Sequence, residues 1–189
     1  MLGIDISPAV IAIAKQRVPS AEFRVASLFA AKIPACTAIL SISECLSYLF
    51  DDSADRRLDD LFRRIYNALC PGGAFIFDAI VPGQVPPGEM VKSFVEGEDW
   101  LVLVEKREDL AQQLLARRII TFRQIEGLYR RTDEIHRQRL FDANDLVEQL
   151  TQLGFQVDVQ DCYGAFKLPP ARIAFVARKP ISATDVPTP

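Results

Sequence analysis

The sequence contains no Gly-x-Gly-x-x-Gly, no Cys-x-x-Cys, no internal repeat, and no apolar run near the roughly 20 residues that span a bilayer. It holds one histidine, one tryptophan and four cysteines in 189 residues. Each absence excludes something. Cys36, Cys45, Cys70 and Cys162 lack metal-cluster spacing, so no metal is expected. No secretory signal precedes them, and a reducing cytoplasm is the expected compartment. Without an apolar span, no membrane partner is expected. A net charge of −3 gives no electrostatic reason to bind nucleic acid or an anionic bilayer. Arginines cluster at 117–118, 130–131 and 137–139, but Glu105, Glu108, Asp133 and Glu134 lie close by, which reads as a mixed, solvated sheet face. The missing glycine fingerprint also weighs against a nicotinamide-dependent dehydrogenase.

What is present is an ordinary globular composition, 49% hydrophobic and 25% charged, of a size suited to one domain. Residues 2–6 form a short apolar run holding one carboxylate, Asp5, and Ser7-Pro8 follows as a helix cap and first helical residue. A carboxylate at the end of such a strand is placed to accept hydrogen bonds from ribose hydroxyls. The pattern predicts a mostly apolar helix over 8–17, buried against a sheet, a strand over 22–25, and a strand over 37–42 covered on both faces. A helix over 54–69, capped by Ser53, ends at Pro71-Gly72-Gly73 and leads to a buried strand over 74–80. Alternating strands and helices indicate an α/β fold with a Rossmann-like, doubly wound, mostly parallel sheet.

The pattern changes after residue 80. Residues 81–89 read as a loop, and three extended segments follow over 100–107, 113–125 and 128–141. Glu126-Gly127 joins the last two as a hairpin, giving an antiparallel meander inserted at about 93–141. A helix capped by Asp142 and stopped at Gly154 then precedes strands over 155–159 and 173–177, with 163–170 as the loop between them. Residues 1–180 form one domain, and 181–189 read as a loose tail.

Taken in order, Gly3-Ile4-Asp5-Ile6-Ser7, Ala26-Ser27-Leu28, Ile39-Leu40-Ser41-Ile42-Ser43-Glu44 and Leu69-Cys70-Pro71-Gly72-Gly73 resemble the class I S-adenosylmethionine-dependent methyltransferases. The closing helix–strand–loop–strand resembles them too. The resemblance covers residues 1–80 and 142–179, and it departs at the start. The family's first strand and glycine-rich loop, which cradle the methionine moiety, have no counterpart in this sequence, so weak cofactor binding or none is expected.

The resemblance implies S-adenosyl-L-methionine as cofactor. It puts Asp5 on the ribose, Ile6 on the adenine, and Ser27 and Leu28 at the far edge of the base, although Leu28 is equally explained as core. Ser41 and Ile42 end the central strand, where their backbone could hold the ligand's amino-acid end. Glu44 could face the substrate or the next helix's amino terminus. The inserted meander resembles those of small-molecule methyltransferases, which implies a metabolite acceptor. The alternative is a non-catalytic remnant that keeps the fold as an interaction module.

Two further features stand outside that resemblance. On a strand, Glu134 and His136 share a face, so His136 could take a proton from a nucleophile while Glu134 orients it, or both could lie in a polar contact. Tyr163 and Phe166, in the last loop, could shape a substrate pocket from the opposite side. Apolar groups on both faces of the meander further predict association as a homodimer. Trp100 is expected to be a packing anchor.

Overall fold

The computed structural model describes residues 1–49 and 58–181. The expected Ser53 cap, the first turn of its helix and the tail beyond Ile181 lie outside these residues. The chain opens with β1 (Leu2–Asp5), α1 (Pro8–Arg17) and β2 (Glu22–Val25), a unit in which β1 and β2 pair in parallel as a two-stranded sheet. Ser7 caps α1 by accepting from Val10 N, and Pro8 takes the first helical position, where its missing N–H costs nothing. Burial of α1 is a correction to the sequence reading. Only Ile11 is buried, and Val10 and Ile13 are about half exposed, because α1 packs mainly on β1 and β2.

The second unit runs through β3 (Cys36–Ser41), α2 (Leu58–Ala68) and β4 (Leu69–Ile80). Strand β4 starts five residues earlier than the periodicity predicts, directly at the end of α2. Gly73 makes this possible, since a Cβ there would meet the carbonyl oxygens of Cys70 and Thr37 at 2.8 and 2.9 Å. Lys179 Nζ donates to the carbonyls of Tyr66 and Leu69 at 2.9 and 2.8 Å, satisfying the end of α2 where cations are favoured.

The chain closes with α3 (Ala143–Gln152), β9 (Gln156–Gln160), β10 (Cys162–Tyr163), β11 (Phe166–Lys167) and β12 (Arg172–Arg178), after the meander strands β5 (Val91–Glu96), β6 (Trp100–Asp109), β7 (Leu114–Ile125) and β8 (Leu128–Arg139). Asp142 caps α3, and Gly154, at φ +98°, ends it. The segment expected as a closing loop instead holds the short hairpin β10–β11. The main sheet has the order β3-β4-β12-β9, with β12 antiparallel to both neighbours. Phe75 and Phe77 of β4, Phe175 of β12 and Phe62 of α2 are fully buried, with Phe77 stacked on Phe175 at 4.7 Å. Each such ring contributes on the order of 1.5–3 kcal/mol by burial.

Strand β3 departs from the reading of a strand covered on both faces. It pairs with β4 on one edge only, and Leu40 is 63% exposed. Among the described residues no strand pairs with its other edge, and β1 hydrogen-bonds only to β2.

The meander has four strands in the order β5-β6-β7-β8, one more than expected, because Val91–Glu96 pairs with β6. Glu126 and Gly127, at φ +51° and +79°, make the two-residue turn whose twist suits a hairpin. The Trp100 ring covers Gly97 at the β5–β6 turn but is itself exposed and belongs to neither core cluster. The base of the meander joins the domain through Leu115, Leu140, Ile80 and Val85.

Candidate functional site

The carboxyl end of β1 opens onto a pocket of about 350 Å³. Asp5, Ile6, Leu28, Phe29, Cys45 and Tyr48 are among the residues that line it. Asp5 holds the strand-to-helix turn by accepting from Ser7 N at 2.7 Å through one carboxylate oxygen. Ile6 is nearly half exposed and supplies apolar surface. Ser27 is not in the wall. Its hydroxyl accepts from Phe29 N at 3.1 Å and so shapes the loop that carries Leu28 and Phe29. That loop is fixed from beneath. Arg64 of α2 donates to the carbonyls of Leu28, Phe29 and Ala31 at 3.2, 2.6 and 2.6 Å. Leu28 lines the pocket and also packs against the main core, so both of its readings hold at once.

At the end of β3 the backbone turns sharply. Ser43 and Glu44 have φ of +70° and +63°, a left-handed conformation that costs a non-glycine residue about 1–2 kcal/mol. Asp78, at the end of β4, offsets this by accepting from the N–H groups of both residues. Burial raises the Asp78 carboxyl above its ordinary value. The turn delivers Glu44 to a closed position, 2% exposed. There it pairs with Arg117 of β7 and Arg172 of β12 and accepts from Gln138 of β8 at 2.6 Å. Burial lowers both guanidinium groups below their usual range. Glu44 is thus the point where main sheet and meander are locked together.

The Tyr163 hydroxyl is buried without a hydrogen bond of good geometry and faces Asp78. Burial first, and then the Asp78 charge, raise its pKa well above that of an ordinary phenol, so it stays protonated. Phe166 pairs with Tyr163 across the hairpin but is 64% exposed. Ser41 is buried with its hydroxyl near the Cys45 thiol, while Ile42 is 44% exposed. His136 Nε2 meets Glu134 Oε2 at 2.9 Å on the face of β8 that also bears Gln138. The Tyr48 ring lies edge-on to His136 at 6.0 Å and also lines the pocket, so one aromatic side chain joins the two groups.

The structure therefore brings Asp5, Ile6 and Leu28 to one pocket, sets His136 and Glu134 beyond its Tyr48 wall, and leaves Phe166 apart. Four contributors were missed in the sequence: Asp78, Arg117, Arg172 and Tyr48. A lone carboxylate in the apolar run Ala74–Ile80 was a usable signal, since buried acids require partners. The solvated reading of the arginines fails for Arg117, whose side chain is only 14% exposed. It suits Arg118, which pairs with Asp133 and Glu105 on the other face.

No protein-family model matches the chain, and no curated protein matches it in sequence. Solved structures do match. An S-adenosylmethionine-dependent methyltransferase from Clostridium acetobutylicum superposes with TM-score 0.78 at 20% identity, over 95% of this chain and 74% of that one. The sugar N-methyltransferase KedS8 from a Streptoalloteichus species gives 0.72 at 20% identity, over 95% and 70%. CalS10, an amino pentose methyltransferase from Micromonospora echinaspora solved with S-adenosylmethionine bound, gives 0.73 at 14% identity, over 94% and 73%. The chain has the Rossmann-like fold of class I methyltransferases.

Proposed function

We propose that the protein is an S-adenosylmethionine-dependent methyltransferase acting on a small-molecule acceptor. The observation that carries this is the Asp5 pocket at the carboxyl end of β1, in a fold shared with proteins that use that cofactor. The donor set suits an adenosine group. Asp5 supplies a carboxylate for ribose hydroxyls, and Ile6, Leu28 and Phe29 supply apolar walls for a base. When bound, the cofactor supplies an already activated methyl group and departs as a neutral thioether. What remains for the chain is chiefly positioning, with a base needed only if the nucleophile must lose a proton. Glu134 orients the His136 imidazole, and His136 accepts that proton.

Several matching structures are named for sugars, an amino pentose or glycopeptides, which supports a small polar acceptor here. The four cysteines are free, which suits a reducing cytoplasm. No described helix is long and apolar enough to cross a membrane. The outer meander face carries Phe94, Leu103, Ile120 and Ile135, with Phe94 and Ile135 each 64% exposed, and a homodimer would cover it.

The test is methyl transfer from labelled S-adenosylmethionine to a panel of amino sugars and related metabolites. His136→Ala should lower turnover about 10²–10⁴-fold, the usual contribution of a general base, with cofactor affinity nearly unchanged. Normal turnover in that variant would remove His136 from the chemistry.

A further inference from the structure

The inner face of the meander carries a cationic row that the proposed reaction leaves unused. Strand register sets Lys106 of β6 directly opposite Arg117 of β7, and Arg117 directly opposite His136 of β8. Opposed residues project to the same face, and like charges placed this way destabilise a sheet. Carboxylates nearby are already engaged. Glu44 serves Arg117 and Arg172, Glu134 meets His136, and Glu108 accepts from the N–H groups of Gly83 and Gln84. Among the described residues Lys106 makes no ion pair. Its ammonium donates to Gln84 Oε1 at 3.2 Å, and Arg117 reaches the same oxygen at 3.5 Å.

Two cations therefore converge on one neutral amide oxygen. Burial, and then the Arg117 charge, push the Lys106 ammonium below its ordinary pKa. An arrangement of this kind gains most when an anion with several oxygens enters it, because charge-assisted hydrogen bonds then replace a repulsion. The row is also connected to the pocket. Tyr48 lines the pocket, lies close enough to Arg117 to act on its charge, and sits against His136. A molecule with one end before the pocket and the other along the meander would meet Lys106 and Arg117.

We propose that Lys106 and Arg117 form an anion-binding subsite that holds a phosphoryl or carboxylate group of the methyl acceptor. The word acceptor rests on the methyltransferase reading; the anion site itself does not. The test is calorimetric titration of the full chain at low ionic strength. Inorganic phosphate and pyrophosphate form one arm, acetate and succinate the other, with sodium chloride at matched ionic strength as the control. Saturable binding beyond the chloride control is expected, weakened about tenfold or more by Lys106→Gln. Arg117→Lys, which keeps the charge beside Glu44 but loses the planar fork, should also weaken it.

Lys106→Gln removes a repulsion, so its urea midpoint should be no lower than that of the parent, and lost binding then reports the site and not misfolding. Response in only one arm assigns the group as phosphoryl or carboxylate. Binding no different from chloride, or unchanged in Lys106→Gln, overturns the subsite. Titration of S-adenosylhomocysteine into the same protein keeps the two ideas apart. Cofactor binding without anion binding defeats the subsite alone, and anion binding without cofactor binding sustains it while defeating the methyltransferase reading.

Discussion

Glu44 concentrates the chemistry of this fold in one side chain. A strained left-handed turn is held by Asp78 so that a single carboxylate can face two arginines from different sheets. Removing one member of a buried ionic cluster leaves uncompensated charge, and the cost is typically about 3–5 kcal/mol. Glu44→Gln should therefore lower the free energy of urea unfolding by that amount, since Arg117 and Arg172 are only 14% and 20% exposed. The opposite result, parental stability with weakened acceptor binding, would mean that Glu44 serves the substrate and not the framework. The sequence marks Glu44 as a residue of interest but not its partners. Arg117 and Arg172 are remote in the chain, and a pairing between strands of two sheets leaves no local pattern to read.

At the scale of elements, a tight approach of backbone to backbone occurs where β4 leaves α2. Gly73 sits under two carbonyl oxygens, one from Cys70 at the start of its own strand and one from Thr37 of β3. Gly73→Ala would force β3 and β4 apart, and overpacking of this kind costs about 1–3 kcal/mol. Differential scanning calorimetry should record a correspondingly lower Tm; an unchanged Tm would mean that the strands part without penalty. Elements with a local cause were legible. Ser7-Pro8 and Asp142 mark helix starts, and the Glu126-Gly127 turn fixes the β7–β8 register, so counting back from it sets Arg117 against His136. Elements defined by what lies beside them were not. An apolar run looks the same whether one face or both are covered, which is why β3 reads as buried yet leaves Leu40 exposed, and α1 reads as buried though only Ile11 is. Strand β5, Val-Lys-Ser-Phe-Val-Glu, follows a proline-rich loop and gains its identity only from pairing with β6.

Over the whole molecule, two surfaces remain to be accounted for, the outer face of the meander and the mouth of the pocket. Phe94, Leu103 and Ile120 align across three strands, and a dimer formed there would give twice the chain mass by light scattering at micromolar concentration. Phe94→Glu should return it to the monomer, whereas a parent protein that is monomeric throughout excludes the interface. The pocket decides the function. Its recognition of an adenosine group depends on Asp5, and a hydrogen bond to a charged group is worth about 1.5–3 kcal/mol, or roughly 10–150-fold in affinity. The decisive experiment is calorimetric titration of S-adenosylhomocysteine into the full chain and into Asp5→Ala. Saturable one-to-one binding that weakens by that factor in the variant is the predicted result, with modest absolute affinity because among the described residues the pocket walls carry no cation for the amino-acid carboxylate. No saturable binding, or binding indifferent to the loss of Asp5, would contradict it.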